Sequence, residues 1–256
     1  MTPEPTLASV TGQLARAGCV AAEEEAAELV AAAGGDAAVL GALVARRCTG
    51  EPLAWVVGSV VFCGETVLVH PGVYVPRWQS EPLAEEAADR LPEGGTAVDL
   101  CTGSGALAVV LARRRPGARV LASELDPVAA ACARANGVAV VRGDLGAGLD
   151  ALAGHVDVVV GVVPYVPTDQ LAWLPRDVLE HEPVAALDGG AEGIDVAGRA
   201  ARLAARLLVP GGWLGLELGG DQDALLQPLL ADLGFEAVEA RHDEDGDLRA
   251  LWARLA

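Results

Sequence analysis

Apolar positions from residue 6 to 48 recur with helical spacing in an alanine-rich stretch, interrupted at Gly18 and again at Gly34-Gly35. The spacing predicts three short amphipathic helices. Glu23, Glu24 and Glu25 fit the first turn of the second helix, and Asp36 is placed to cap the third. Between Val60 and Val69 the pattern changes to short apolar runs around Cys63-Gly64-Glu65-Thr66, which predicts a β-hairpin. After it, strand-like and helix-like segments alternate. Strands are expected at 96–100, 119–124, 138–142, 156–162, 212–218, 235–240 and 248–253, and helices near 81–91, 104–115, 127–135, 195–208 and 221–233. Such alternation is that of an α/β, doubly wound, mainly parallel sheet with helices on both faces and binding sites at the carboxyl ends of its strands. The expected division is a helical domain over 1–58, a hairpin linker over 59–75 and a catalytic domain over 76–256.

Composition narrows the chemistry. The 256 residues are 52% hydrophobic, ample for a packed core, and no run approaches the roughly 18 apolar residues of a membrane span. Met1 to Val10 carry no basic stretch before an apolar one, so no membrane association or export is expected. The five cysteines (Cys19, Cys48, Cys63, Cys101, Cys132) are scattered, with no metal-ligand spacing, and read as reduced thiols in a cytoplasmic protein without a metal site. Net charge is −18, and all 18 basic residues are arginine. Lacking lysine, the chain has neither a Schiff-base nucleophile nor a P-loop lysine. Its acidity opposes a nucleic-acid substrate. The triplet Arg113-Arg114-Arg115 reads as the solvated end of a helix before Pro116-Gly117.

The most informative segment is Val98-Asp99-Leu100-Cys101-Thr102-Gly103-Ser104-Gly105-Ala106, a strand running into a glycine turn that opens a helix. Gly103 and Gly105 let the backbone turn sharply and approach a ligand. The glycines also fit a dinucleotide fingerprint, with Glu124 where its ribose-binding acid belongs. Asp99, an acid at the strand end, instead points to a cofactor carrying an ammonium group, which a nicotinamide dinucleotide lacks. Glu124 is placed to accept ribose hydroxyls, Asp126 before Pro127 to cap a helix, and Asp144 to accept from an adenine amino group or to serve a surface turn.

With these pieces located, the chain resembles the protein-(glutamine-N5) methyltransferases, the HemK-like enzymes that methylate the Gly-Gly-Gln loop of peptide-chain release factors. The resemblance rests on six ordered segments. These are Gly50 to Gly58, Val75-Pro76-Arg77-Trp78-Gln79-Ser80-Glu81, the Asp99 to Gly105 loop, Val163-Pro164-Tyr165, Glu182 to Leu187, and Pro210 to Gly219. It implies a seven-stranded Rossmann-like sheet binding S-adenosylmethionine, with S-adenosylhomocysteine as product. The cofactor contacts it implies are Asp99, Cys101, Thr102, Gly103, Gly105, Glu124, Leu125, Asp144 and Leu145. The catalytic turn is Val162-Val163-Pro164-Tyr165, and the acceptor a release factor or other protein.

Two positions depart from the family. Cys101 stands where the family has glycine, tolerable if its backbone is not left-handed. Val162 stands where the family has the asparagine of Asn-Pro-Pro-Tyr, which, with the carbonyl of the next residue, holds the substrate glutamine amide. Valine offers neither donor nor acceptor, so a tenfold or greater loss on glutamine is expected, from about 1 to 3 kcal/mol for an unsatisfied amide. Other acceptors therefore stay open: a small metabolite or another side chain using an apolar wall at Val162, or cofactor binding without catalysis. His181 is expected to be structural, Trp55 and Trp173 to pack in the core or in a flap over 168–180, and Arg77 and Glu81 to hold the domain junction or the pocket edge.

Overall fold

The computed structural model describes residues 6–256, and the side chain of Arg176 is outside the description. Three helices open it: α1 (Leu7–Arg16), α2 (Ala22–Ala32) and α3 (Ala37–Cys48). The Asp36 carboxylate accepts from the N–H groups of Ala38 and Val39, capping α3. A fourth helix, α4 (Leu53–Val57), was not expected from the pattern; its five residues are too few to show a period, and Gly58 ends it at a φ of 90°. Val10, Leu14, Ala26, Leu29 and Val56 form a core shared by these helices.

Strands β1 (Ser59–Phe62) and β2 (Glu65–Leu68) make the expected antiparallel hairpin. Rather than hanging between domains, it packs onto the helices of the large sheet. Phe62 and Val67 are buried with Leu83, Leu107 and Leu111, and the Asn136 side chain bonds both the N–H and the carbonyl of Leu68.

The large sheet contains β3 (Thr96–Leu100), β4 (Arg119–Glu124), β5 (Val140–Arg142), β6 (Val156–Gly161), β7 (Leu208–Glu217), β8 (Phe235–His242) and β9 (Leu248–Leu255). Its order is β5-β4-β3-β6-β7-β9-β8, parallel except for β9, which runs antiparallel to both neighbours. Helices α5 (Glu81–Arg90), α6 (Ala106–Arg114) and α7 (Pro127–Ala135) alternate with the early strands. After β6 come the short α8 (Arg176–His181), then α9 (Asp195–Leu207) and α10 (Gln222–Asp232). The inner strands are buried on both faces, against α5 and α6 on one side and α9 and α10 on the other, as their apolar runs require. The chain leaves β3 in one direction for β4 and returns across it to β6, so a crevice opens at the carboxyl ends of β3 and β6.

The arginine triplet closes α6 with Arg113 and Arg114 exposed, as expected, and it also reaches neighbouring elements. Arg114 pairs with Glu85 at 2.6 Å, Arg115 donates to the Ala88 carbonyl at 2.6 Å, and Arg113 lies 3.7 Å from Glu65. The triplet ties α6 to α5 and the hairpin, partners that only the packed helices bring near. Among the described residues no helix is long and apolar enough to cross a membrane, and no group of His, Cys, Asp or Glu could hold a metal.

Candidate functional site

Two adjoining cavities occupy the crevice. The first, about 370 Å³, lies over the loop between β3 and α6. Its wall includes Cys101, Thr102, Gly103, Glu124, Leu125, Asp144, Leu145, Val162 and Pro164. The loop is held by its own hydrogen bonds: Thr102 N–H to the Ser123 carbonyl, Gly105 N–H to the Thr102 carbonyl and Gly103 N–H to Glu124 Oε2 at 2.8 Å. Gly105, at a φ of 90°, packs so closely on Val138 and Ala133 that a Cβ would fall 2.8 Å from Val138. Glycine is thus required at that position.

Glu124 accepts a second backbone N–H, that of Asp126, on Oε1 at 2.9 Å, while its side chain still faces the cavity. A carboxylate fixed at both oxygens is a rigid acceptor for a pair of hydroxyl groups. Asp126 caps α7 through the N–H groups of Val128 and Ala129, as its place before Pro127 suggests. Asp144 lines the cavity but also takes the Arg199 guanidinium at 2.5 Å, so one carboxylate oxygen is engaged by α9.

Asp99 lies elsewhere than its sequence position indicates. It is 1% exposed and does not line the cavity; its Oδ2 accepts from the Thr102 hydroxyl and, at 3.3 Å, from Ala108 N–H. Burial raises its carboxyl to about 7, opposed by those hydrogen bonds. Its direct work is to shape the glycine loop from behind. Cys101 does adopt the left-handed backbone, with a φ of 54°, so the condition on which a thiol was tolerable there is not met. Burial pushes its thiol up to about 12, leaving it unionised and unreactive. The hydroxyls of Ser104 and Ser123, buried within the wall of the first cavity, are inaccessible and have no hydrogen-bond partner within the protein.

The second cavity, about 380 Å³, shares Tyr74, Val162 and Ala186 with the first. Its other wall residues include Arg77, Gln79, Val163, Tyr165, Glu217 and Arg249, with Leu174, Pro175, Asp177 and Val178 from the flap. The turn Val162-Val163-Pro164-Tyr165 thus stands between the cavities. Its far end is clamped: Gln222 Nε2 donates to the Tyr165 carbonyl at 2.7 Å, and a Cβ on Gly193 would lie 2.1 Å from that same oxygen. Tyr165 donates its hydroxyl to Glu217 Oε1 at 3.0 Å. Burial raises the Glu217 carboxyl, while Ser80, Tyr165, Arg249 and Arg77 oppose the shift. Glu217, Tyr74 and Gln79 were not singled out from sequence. Glu217 had a signal, an acid interrupting Leu214-Gly215-Leu216 near the end of a buried strand.

The flap is pinned at its base. Glu182, 5% exposed, pairs with Arg77 and accepts from Val75 N–H at 3.1 Å, joining the two segments on either side of the second cavity. Glu81 accepts from Cys63 N–H, so it fastens the hairpin to α5 rather than edging the pocket. His181 stands against Trp55, ring centroids 6.1 Å apart, with Nδ1 by the Asp177 carbonyl, a packing role. Trp55 is buried and donates to the Val73 carbonyl, whereas Trp173 is exposed on the flap rather than packed.

No protein-family model matches the chain. It is 40% identical over 179 residues to a release factor glutamine methyltransferase of Geobacter sulfurreducens, covering 67% of this chain and 62% of the relative. A release factor glutamine methyltransferase of Mycolicibacterium smegmatis is 45% identical over 177 residues, covering 66% of this chain and 62% of the relative. A 4-amino-L-phenylalanine/4-methylamino-L-phenylalanine methyltransferase of Streptomyces pristinaespiralis is 43% identical over 182 residues, with shares of 67% and 62%. The chain therefore spans a little under two thirds of the length of these relatives. Among solved structures, a ribosomal protein L11 methylase from Lactobacillus delbrueckii shares the fold, with a TM-score of 0.55 at 18% identity over 75% of this chain and 87% of that one. A Thermus thermophilus 16S rRNA methyltransferase in complex with AdoMet and guanosine has a TM-score of 0.51 at 20% identity, over 77% and 44%. Over the aligned two thirds of its length, the chain is similar in sequence to the release factor glutamine methyltransferases.

Proposed function

We propose that the protein is an S-adenosylmethionine-dependent N-methyltransferase on the plan of the protein-glutamine N5 enzymes. The observation that carries this reading is the pair of cavities meeting at Val162-Val163-Pro164-Tyr165. The first cavity fits the cofactor: a glycine loop, a fixed carboxylate for ribose at Glu124, a second carboxylate at Asp144, and the apolar Leu125 and Leu145. When bound, the cofactor supplies a methyl group activated by a sulfonium, which needs only an aligned nucleophile and little base catalysis. The chain's part is to hold an acceptor nitrogen in the second cavity and to keep water out, with the flap and Tyr165 as its walls.

The acceptor in this family reading is the glutamine of a release-factor Gly-Gly-Gln loop. A second reading, a small amine, is favoured by Val162, which leaves the amide clamp without its side chain, and by the aminophenylalanine methyltransferase among the relatives. Incubation with labelled cofactor and cell extract, followed by separation of protein from small molecules, tests both. Mass spectrometry of Gly-Gly-Gln peptides then reports on the first reading directly. Label in neither fraction, or tight binding of a nicotinamide dinucleotide in place of S-adenosylhomocysteine, overturns the proposal.

A further inference from the structure

An acceptor carboxamide needs a donor for its oxygen and acceptors for its two N–H groups, and the Val162 side chain provides neither. Most polar groups of the second cavity are already engaged. Arg77 donates to Glu182 and Tyr74, Tyr165 to Glu217, and Arg249 to Asp243. Glu217 Oε2 is inaccessible, and the Asp177 carboxylate offers acceptors alone. Gln79 differs from all of these. It lines the cavity, and among the described residues its side-chain amide has no hydrogen-bond partner and is not closed off from the cavity. The fold also brings it to the right place. Gln79 lies in the tight turn Trp78–Ser80 that leads into α5, and Ser80, the next residue, bonds the Glu217 carboxyl. Gly161 of β6 pairs with Leu216 of β7, so Glu217 and Val162, each one residue further on, are neighbours across the sheet. The turn that carries Gln79 is thus fastened beside Val162. The carbonyl of Val163 accepts no backbone N–H among the described residues.

We propose that Gln79 takes the place of the missing asparagine. Its side-chain amide pairs edge to edge with the carboxamide of an acceptor glutamine: Nε2 donates to the acceptor carbonyl, Oε1 accepts the nearer N–H, and the Val163 carbonyl accepts the other. The inference rests on the N-methyltransferase reading with its glutamine acceptor, and it names a residue that determines specificity at that site. All three bonds lie in the plane of the amide, so they leave the π face of the nitrogen bare toward the first cavity, from which the methyl group comes. An amine has no oxygen for Nε2 and would leave that donor unsatisfied. Gln79 reaches across three torsions and loses more side-chain entropy on binding than an asparagine in the turn would, so the replacement is partial.

The step balances. The nitrogen lone pair forms the new N–C bond as the methyl carbon–sulfur bond breaks, and that bond pair stays on sulfur as the thioether of the product. The nitrogen, now cationic and stripped of amide resonance, is a stronger acid than an oxygen-protonated amide. It passes one N–H proton to Gln79 Oε1 and keeps the bond pair, and water takes the proton from there.

A mutant cycle on the full chain tests this: wild type, Gln79→Leu, the pair Val162→Asn with Val163→Pro, and all three together. Each is read by turnover of a Gly-Gly-Gln peptide in mass spectrometry and by calorimetric titration of that peptide into the chain saturated with S-adenosylhomocysteine. Gln79→Leu is expected to lower kcat/KM and peptide affinity about tenfold in the wild-type background, and by less than about threefold once asparagine stands at 162 and takes over the bonds. A merely structural residue would cost the same in both backgrounds. Gln79→Glu, equal in size, puts an oxygen where the donor was and is expected to lose as much as the leucine variant; it decides the matter should the latter fail to fold. Equal losses in the two backgrounds, no loss from either substitution, or no methylation of the peptide by the wild type overturns the inference. In that event labelled methyl groups on a small amine would leave the N-methyltransferase reading standing, whereas failure to bind S-adenosylhomocysteine would strike that reading itself.

Discussion

At the scale of single residues, Cys101 shows how a site can carry strain. A residue with a Cβ costs roughly 1 to 2 kcal/mol in the left-handed region, and nothing in the loop relieves this at a φ of 54°. Cys101→Gly is expected to raise stability by about 1 kcal/mol and the melting temperature by a few degrees, without loss of cofactor affinity. Calorimetric melting checks this, and a lower melting temperature would contradict it. Asp99 makes a pH-dependent prediction. Its carboxyl is raised to about 7 in the folded chain from an unfolded value near 3.8, so between those values the native state holds the extra proton and stability falls as pH rises. The total is on the order of 4 kcal/mol, complete above pH 7. Asp99→Asn removes this dependence, so its stability relative to wild type should climb through pH 4 to 7 in denaturant titrations. A constant difference would show that the carboxyl titrates normally. Val162 bears on acceptor choice. Val162→Asn with Val163→Pro restores the donor and acceptor an amide requires, and turnover of a Gly-Gly-Gln peptide should rise about tenfold or more, followed by mass spectrometry. No gain would mean that the turn was not what limited glutamine.

At the scale of elements, the flap between β6 and α9 depends on one buried pair. Burial raises Glu182 despite the opposing charge of Arg77, while Glu182 in turn raises Arg77, so desolvation offsets much of the attraction, the usual balance for a buried ion pair. Forming the pair therefore contributes little net stability, yet breaking it leaves Arg77 and the Val75 N–H without their partner. Glu182→Ala is expected to destabilise the protein by about 3 kcal/mol, and Glu182→Gln, which still accepts from Val75, by distinctly less. Hydrogen exchange should quicken first in residues 168–187. Uniform protection across the flap in the alanine variant would show that other contacts hold it. The hairpin β1–β2 is likewise no passive connector, since Asn136 joins it to the Ser104 carbonyl of the glycine loop.

At the scale of the whole molecule, 36 acidic residues against 18 arginines give a chain that repels itself. Exposed pairs such as Arg199–Asp144 and Arg206–Asp150 relieve this locally, each worth at most about 1 kcal/mol. Screening weakens those few attractions and the many longer-range repulsions alike, and the repulsions are more numerous. Sodium chloride raised to about 1 M, where the Debye length is about 3 Å, should therefore raise the melting temperature. A flat or falling temperature would mean that the ion pairs outweigh the net charge.

The order of strands and helices was legible because it rests on local periodicity. Each buried strand is a short apolar run, each helix an apolar stripe, and the caps at Asp36 and Asp126 act within three residues. The glycine loop and Glu124 were legible for the same reason, since a turn between a strand and a helix is written in adjacent residues. Other features come from groups distant in the chain. Asp144 meets Arg199 across 55 positions and Tyr165 meets Glu217 across 52, and no local pattern encodes either pair. Asp99 reads as a ligand because it precedes the glycines, yet the pleat directs its side chain behind the loop, to Thr102 and Ala108. Glu217 reads as one acid in an apolar strand, and only the pairing of β6 with β7 sets it beside Val162, because strand register is fixed by packing across the whole sheet.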